Sequence, residues 1–546
     1  MTSSARTLGR ISAFAAMLAC AARGSAAQEC VTTQTRTAPS GISNAVIRSV
    51  TVKTDAPISL PIGGSWLSSL RRTTETGVVQ RQLLFEPNQR VDTLLVAQTL
   101  RRLRDRRIYA DVLLAVTRCA GSDSVDMLVT TRDAWTLQPI ARIVPPSTVS
   151  IGAEDRNILG SGRSLAVTND QSASGHGGSF SALDPWMFGR DVIGSARFAD
   201  IAGNHLLRVA VRHPEVNVDD PWRVEMGFGR QRYGDSRASE HPLGNLFLEG
   251  SIGHIIGNTE FGFTVPYVGA ELDHAQVLEI LRGDDGEPEV HRRQFVGLDF
   301  GILRRAAQFD TASWFAGGRG FLDIPLRVES DVLIGVGDDR AQHAAAVRYD
   351  AWAGRMWMPH RGSLLGVDAW TSGYIGDVRL NHIDRASVSA YTEAPRGYWG
   401  ARMMFEQLLE LDPDQRMLTL ANANNDASYA AVPKTMRGAD RAWMTSAERA
   451  WSLFPVGRAS MLDAAVYSAG SVRWDSPQDP GKKFGVALVG ARLRLLSANG
   501  SIGSTRVDVG FPIASNGSIV HRPLVSVSVS SLFDSGRGRD GRRRHQ

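Results

Sequence analysis

The sequence predicts a mainly β protein: a transmembrane antiparallel β-barrel preceded by one small α+β domain. From Val149 onward the chain runs as short alternating segments between turn residues, with no long helical pattern. Beyond a short apolar N-terminal stretch there is no apolar run of about eighteen residues, so a bilayer would have to be crossed by strands. The closing segment, Leu524 to Phe533, puts Val525, Val527 and Val529 on one face and Ser526, Ser528 and Ser530 on the other. One side suits lipid and the other a wet lumen.

The apolar share of 43% and the 54 glycines fit one large β structure plus something small. Residues 1–27 read as a signal peptide: Arg6 and Arg10 are basic, Ile11 to Ala22 is apolar, and Ser25-Ala26-Ala27 is a small-residue cleavage site. Cys20 would allow a lipoprotein reading, although Met17 makes a poor lipobox. Cleavage leaves Cys30 and Cys119, which form a disulfide in an oxidising compartment or remain two free thiols. The net charge is +5, much of it in the Gly-rich tail 535–546. That tail reads as a solvated end, with an anionic membrane surface or nucleic acid as weaker readings; no nucleic-acid partner is expected.

Residues 28–43 are an N-terminal extension and 44–139 the small domain. Val46 to Val52 is β-branched and reads as a strand. Thr73 to Phe85 has near-helical spacing at Val78, Val79, Leu83 and Leu84. Asp92 then caps a longer helix with Leu94, Ala97, Leu100 and Leu103 on one face and Arg101, Arg102, Arg104 and Arg106 on the other. Tyr109 to Thr117 and Val125 to Thr131 are strands joined by the turn-rich Ala120-Gly121-Ser122-Asp123-Ser124.

This order, with the segments VVQRQLLFEPNQRVDTLLVAQTLRRLRDRRIYADVLLAV and DMLVTTRDAWTLQP, resembles a POTRA domain of the BamA/TamA outer-membrane assembly superfamily. A generic ferredoxin-like domain is the alternative. Only one such domain fits ahead of the barrel, whereas the best-known members carry several. The resemblance implies a periplasmic module whose exposed sheet edge takes up unfolded client polypeptide by β-augmentation, with accessory periplasmic or lipoprotein subunits as further partners.

Residues 147–534 are the expected barrel, embedded in outer-membrane lipid, and the resemblance implies about sixteen strands. Glu154-Asp155-Arg156-Asn157-Ile158-Leu159-Gly160-Ser161-Gly162 is similar to the first barrel hairpin of the superfamily, and Asp184 to Gly189 to a later turn. Trp186, Trp222, Tyr267, Trp357, Trp370, Tyr374 and Trp399, near segment ends, suit interfacial girdles, or core positions in a soluble sandwich. Phe533 resembles the aromatic signal of a last outer-membrane strand, followed here by a basic tail.

In the superfamily an Arg-Gly-aromatic tip on a long loop folds back into the lumen. Arg437 and Gly438 fit by position, with Ala439 in the aromatic's place; Arg396, Gly397 and Tyr398 are a second candidate one hairpin earlier. Ala447-Glu448-Arg449 is similar to an element on the strand that follows. A lumen guanidinium needs a carboxylate, because arginine keeps its charge and its fork pairs bidentately. Glu448, Asp463 and Asp508 are the acidic candidates, while Ser468 stands near the family's own acid position.

No zinc-binding, nucleophile-elbow or phosphate-loop pattern occurs, and the twelve histidines are scattered. The acid pairs Asp219-Asp220 and Asp284-Asp285 sit in turn-like contexts. The expectation is therefore a non-enzymatic protein without a cofactor that assists insertion of client outer-membrane proteins. A two-partner polypeptide secretion pore and a passive porin-like channel are the alternatives.

Overall fold

A computed structural model describes residues 30–531, apart from 57–71, 410–439 and short stretches mostly between elements. The expected signal 1–27, Arg437, Gly438, Phe533 and the tail 535–546 lie outside the described residues.

The small domain holds β1 (Cys30–Thr35), β2 (Val46–Asp55), helices α1 (Thr76–Gln80) and α2 (Thr93–Asp105), β3 (Tyr109–Cys119) and β4 (Ser124–Asp133). Its sheet order is β1-β3-β4-β2, with β2 parallel to β4 and the other pairs antiparallel. α2 starts where Asp92 accepts from the Leu94 N–H at 2.7 Å, an N-cap that satisfies an otherwise orphaned donor. Its buried face is Val96, Thr99, Leu100 and Leu103, shifted from the expected Leu94-Ala97 start. The shift lets the Thr99 hydroxyl take the Leu84 N–H at 3.0 Å. These residues pack on Ile47, Leu114, Met127 and Val129 from the sheet. α1 is shorter than the Thr73–Phe85 periodicity suggests, because the chain turns at Arg81 and Gln82 to bring Phe85 into the same core.

Within the extension 28–43, β1 is a strand of the small domain's sheet. β1 lies along β3 from Cys30↔Cys119 to Thr35↔Leu114. It therefore covers β3 and leaves β1 and β2 as the outer strands of the sheet.

The second sheet is the barrel. Twenty-one strand segments stand in its cyclic order, and Ile256–Thr259 continues Leu243–His254, leaving twenty staves among the described residues. The expected sixteen is thus too few. That number came from the resemblance rather than from counting segments, since single alternating segments are weak signals. The sheet also begins earlier than residue 147, with Leu137–Val144 paired to Thr148–Asp155. Closure runs through Leu524–Ser531 against Leu137–Val144, with one registered pair, Val527↔Ile143.

Alternation sorts the two faces. Leu298, Phe300, Ile302, Val332, Ile334, Val336, Val489 and Leu493 are exposed on the outside. Phe295, Asp299, Arg348, Asp463, Tyr467 and Arg494 are buried within. An apolar exterior over a charged interior is the arrangement a bilayer imposes on a closed sheet. Of the girdle candidates, Trp222 and Trp399 are exposed on the outside, whereas Trp186, Tyr267 and Tyr374 are buried. Tyr267 and Tyr374 point inward because their hydroxyls donate to Asp331 and Asp273, both at 3.0 Å. Strand parity, not position near an end, decides their side.

Candidate lumen site

Five strands build a charged cluster on the inner wall. Gly397–Leu409 contributes Tyr398, Arg441–Val456 contributes Glu448, and Ser460–Ser476 contributes Asp463 and Tyr467. Asp479–Asn499 contributes Arg492 and Arg494, and Ser501–Ala514 contributes Asp508. Arg492 and Arg494 both face inward because they are two residues apart on one strand. Glu448 sits between them: Arg492 donates to one carboxylate oxygen at 2.8 Å, and Arg494 to the other at 2.9 Å. The Tyr398 hydroxyl donates to the second oxygen at 2.8 Å. Arg492 also pairs with Asp508, its direct register partner. Asp463 stands directly across from Arg494.

Tyr467 anchors the cluster mechanically. Glu448, Tyr467, Gly490 and Gly510 form one row across four strands. A Cβ on Gly490 would lie 2.8 Å from the Tyr467 ring, and one on Gly510 would lie 2.9 Å from its hydroxyl. The two glycines thus form a slot for the ring, and Arg492 stacks over it at 4.5 Å from the centroid.

All three acids proposed from sequence, Glu448, Asp463 and Asp508, come together here, whereas Ser468 faces outward. Within Ala447-Glu448-Arg449 the alternation splits the charges. Glu448 goes inward, and Arg449 stacks between Trp399 and Trp451 while donating to the Pro395 carbonyl at 2.8 Å. Arg396 is exposed in the tight turn before Gly397, with φ +57°, and its carbonyl accepts from the Ser452 N–H at 2.6 Å. Of the second candidate motif only Tyr398 enters the lumen. Sequence reading missed Arg492, Arg494 and Tyr467. Their shared parity with Asp508's neighbours was the available signal, but charged residues on a strand carry no mark of which face is wet.

A second constellation joins the small domain to the barrel. The Asp133 carboxylate accepts the Thr74 N–H at 2.5 Å and the Thr74 hydroxyl at 2.8 Å. Asn157, in the loop between Thr148–Asp155 and Ser164–Ser172, donates to that hydroxyl at 2.8 Å. Gly160, with φ +80°, offers its carbonyl to the Glu75 N–H at 3.0 Å. A side chain there would meet the Thr73 carbonyl at 2.4 Å, so the close approach requires glycine. Burial pushes the Asp133 carboxyl up to about 6, against the pull of the two Thr74 hydrogen bonds. From α2, Arg102 reaches Asp191 at 2.5 Å, and Arg104 grips Asp323 through both carboxylate oxygens at 3.0 and 2.8 Å. No metal-ligand group of three or more His, Cys, Asp or Glu side chains occurs among the described residues.

No protein-family model matches the chain, and no curated protein sequence matches it. Solved structures with a similar arrangement include BamA from Haemophilus ducreyi lacking POTRA domains 1–3, at 9% identity and a TM-score of 0.37, covering 89% of this chain and 84% of that one. CdiB from Acinetobacter baumannii is similar at 10% identity and a TM-score of 0.40, covering 89% and 74%. CdiB from Escherichia coli is similar at 10% identity and a TM-score of 0.38, covering 92% and 80%. What this chain itself presents is a large antiparallel β-barrel with a charged lumen and a small α+β domain docked at one mouth.

Proposed function

We propose that the protein is an outer-membrane barrel that assists insertion of client outer-membrane proteins, with its small, POTRA-like domain in the periplasm. The carrying observation is the seam. Among the described residues, Leu524–Ser531 shares one registered pair with Leu137–Val144, while each of these strands has eight with its other neighbour. Unpaired edge groups in lipid are costly, so a thinly paired seam is where an incoming strand gains most by pairing. No chemical energy source is required, since strand pairing itself drives the exchange.

Client capture would use β2 rather than β3. β1 covers β3, and the start of β2 is met by Asn88, Gln89 and Arg90. Along Ser49–Asp55 the outer side of β2 has no backbone partner among the described residues. That edge is open to β-augmentation.

The test is depletion of the protein in its host, followed by quantification of folded outer-membrane barrels. A fall across several clients supports assembly. Loss of one large secreted polypeptide with barrels unchanged would establish the secretion pore instead. A high steady conductance with no effect on either would establish the porin.

A further inference from the structure

We propose that the hairpin of strands Phe309–Ala312 and Leu322–Pro325 is a plug across the barrel mouth that faces the small domain, latched shut by the arginines of α2. These two strands pair only with each other and lie outside the barrel sheet, although they fall between the consecutive staves Pro288–Ala306 and Glu329–Asp339. Other connections at this mouth include tight turns, as at Pro395-Arg396 between Arg379–Ala394 and Gly397–Leu409.

The hairpin does not hang free. Ala312 and Ile324 belong to one buried cluster with Met356, Leu364, Tyr398, Ala450, Met461 and Ala465. Those six residues come from five staves, spanning Ala344–Trp357 to Ser460–Ser476. By parity all point into the lumen. A hairpin that leaves the wall beside Glu329–Asp339 and joins a buried cluster reaching as far as Ser460–Ser476 lies over the opening. The apolar patch it covers adjoins charged stretches of the inner wall that carry Arg348, Asp299, Glu448 and Arg494. A polar lumen has no use for that patch unless something apolar seats on it.

The outer side of the plug carries the latch. Arg104 and Asp323 form a two-pronged ion pair with side chains only 8% and 6% exposed. The remaining prong of Arg104 donates to the Arg36 carbonyl at 3.0 Å, just beyond β1. The Arg101 guanidinium lies 3.7 Å from the centroid of the Phe309 ring. A desolvated fork-to-fork pair is strong when both partners are present and unfavourable when one is left behind. It therefore defines two discrete states, docked and released, rather than a graded motion. Moving the small domain away withdraws the latch, and the plug follows. Tyr398, the residue that donates to Glu448, belongs to the cluster that seats the plug, so release also reaches the charged cluster.

Planar-bilayer recording of the full-length folded protein tests this. The parent should be nearly closed. Arg104→Ala and Asp323→Asn should each raise steady conductance several-fold, and the exchanged pair Arg104→Asp with Asp323→Arg should return it towards the parent. Ile324→Asp, which places a charge in the apolar seat and leaves the latch intact, should open the pore as well. Heat-dependent mobility in SDS establishes that each variant is folded; if Arg104→Ala fails to fold, Asp323→Asn and Ile324→Asp carry the test. A parent that conducts as freely as the release variants overturns the plug, and so do release variants as closed as the parent. Client assembly, measured separately, reports on the insertion function, so either idea can fail alone.

Discussion

The Glu448 carboxylate and the Arg494 guanidinium meet at 2.9 Å inside the barrel, although the strand Ser460–Ser476 lies between their own strands. The pair bridges over the Tyr467 strand rather than joining neighbours. Arg492 takes the other carboxylate oxygen, so one acid serves two cations on one strand.

Removing that acid should be costly. Glu448→Ala leaves two buried guanidiniums without their shared partner, a loss of about 3–5 kcal/mol by analogy with other broken buried pairs. The folded form should lose its SDS resistance at a markedly lower temperature than the parent. Glu448→Gln, which retains an acceptor, should fall between. Unchanged heat stability in both variants would show that the cluster does not hold the strands.

Cys30 and Cys119 are bonded, closing a loop with a sequence separation of 89. The bond ties one end of β1 to β3, and Arg36, paired with Asp111 at 2.8 Å, ties the other. Closing a loop of that length stabilises by roughly 3–5 kcal/mol in the chain-entropy model. Reduction should make β1 susceptible to proteolysis while the barrel remains heat-modifiable. Two alkylatable thiols in native oxidised material would reject the bond.

Asp133 gives the small domain a pH dependence. Its value near 6 lies above the usual 3.8, so the folded domain holds the proton more tightly than the unfolded chain. The contribution to stability is full below the unfolded value and disappears as pH rises through about 6. It is on the order of 3 kcal/mol at most. Thermal melts of the parent and Asp133→Asn should therefore diverge as pH rises from about 4 to about 6, with the parent losing more, and the gap should level off above that. A gap independent of pH would count against the buried carboxyl as its source.

Arg437 is proposed as the lumen-loop cation. Glu448, Asp463 and Asp508 gather on the inner wall, the place a guanidinium on a loop folded into the lumen would have to reach. Arg437→Ala should reach the membrane but fail in client assembly, and Arg437→Lys should rescue poorly for want of the planar fork. Arg396→Ala, in an exposed turn, should behave like the parent. The reverse result would move the functional loop to the earlier hairpin.

The sequence by itself determined the class of structure: the small α+β order, the switch to alternating segments, and the absence of a helical span. Period-two patterning and capping are local, so Asp92 and the serine face of Ser526 to Ser530 declare themselves in a few residues. The acids Glu448, Asp463 and Asp508 were also legible as candidates, because a charge in an alternating strand must find a partner or water. Only the tertiary structure decided which charges meet. Arg494 reaches Glu448 across an intervening strand, and that strand's glycine-slotted Tyr467 depends on the register of three others. Stave number, the closure of Leu524–Ser531 on Leu137–Val144, the covering of β3 by β1 and the grip of Arg104 on Asp323 are likewise long-range pairings. No local pattern encodes them, since each is fixed by where distant segments come to lie once the sheet has closed.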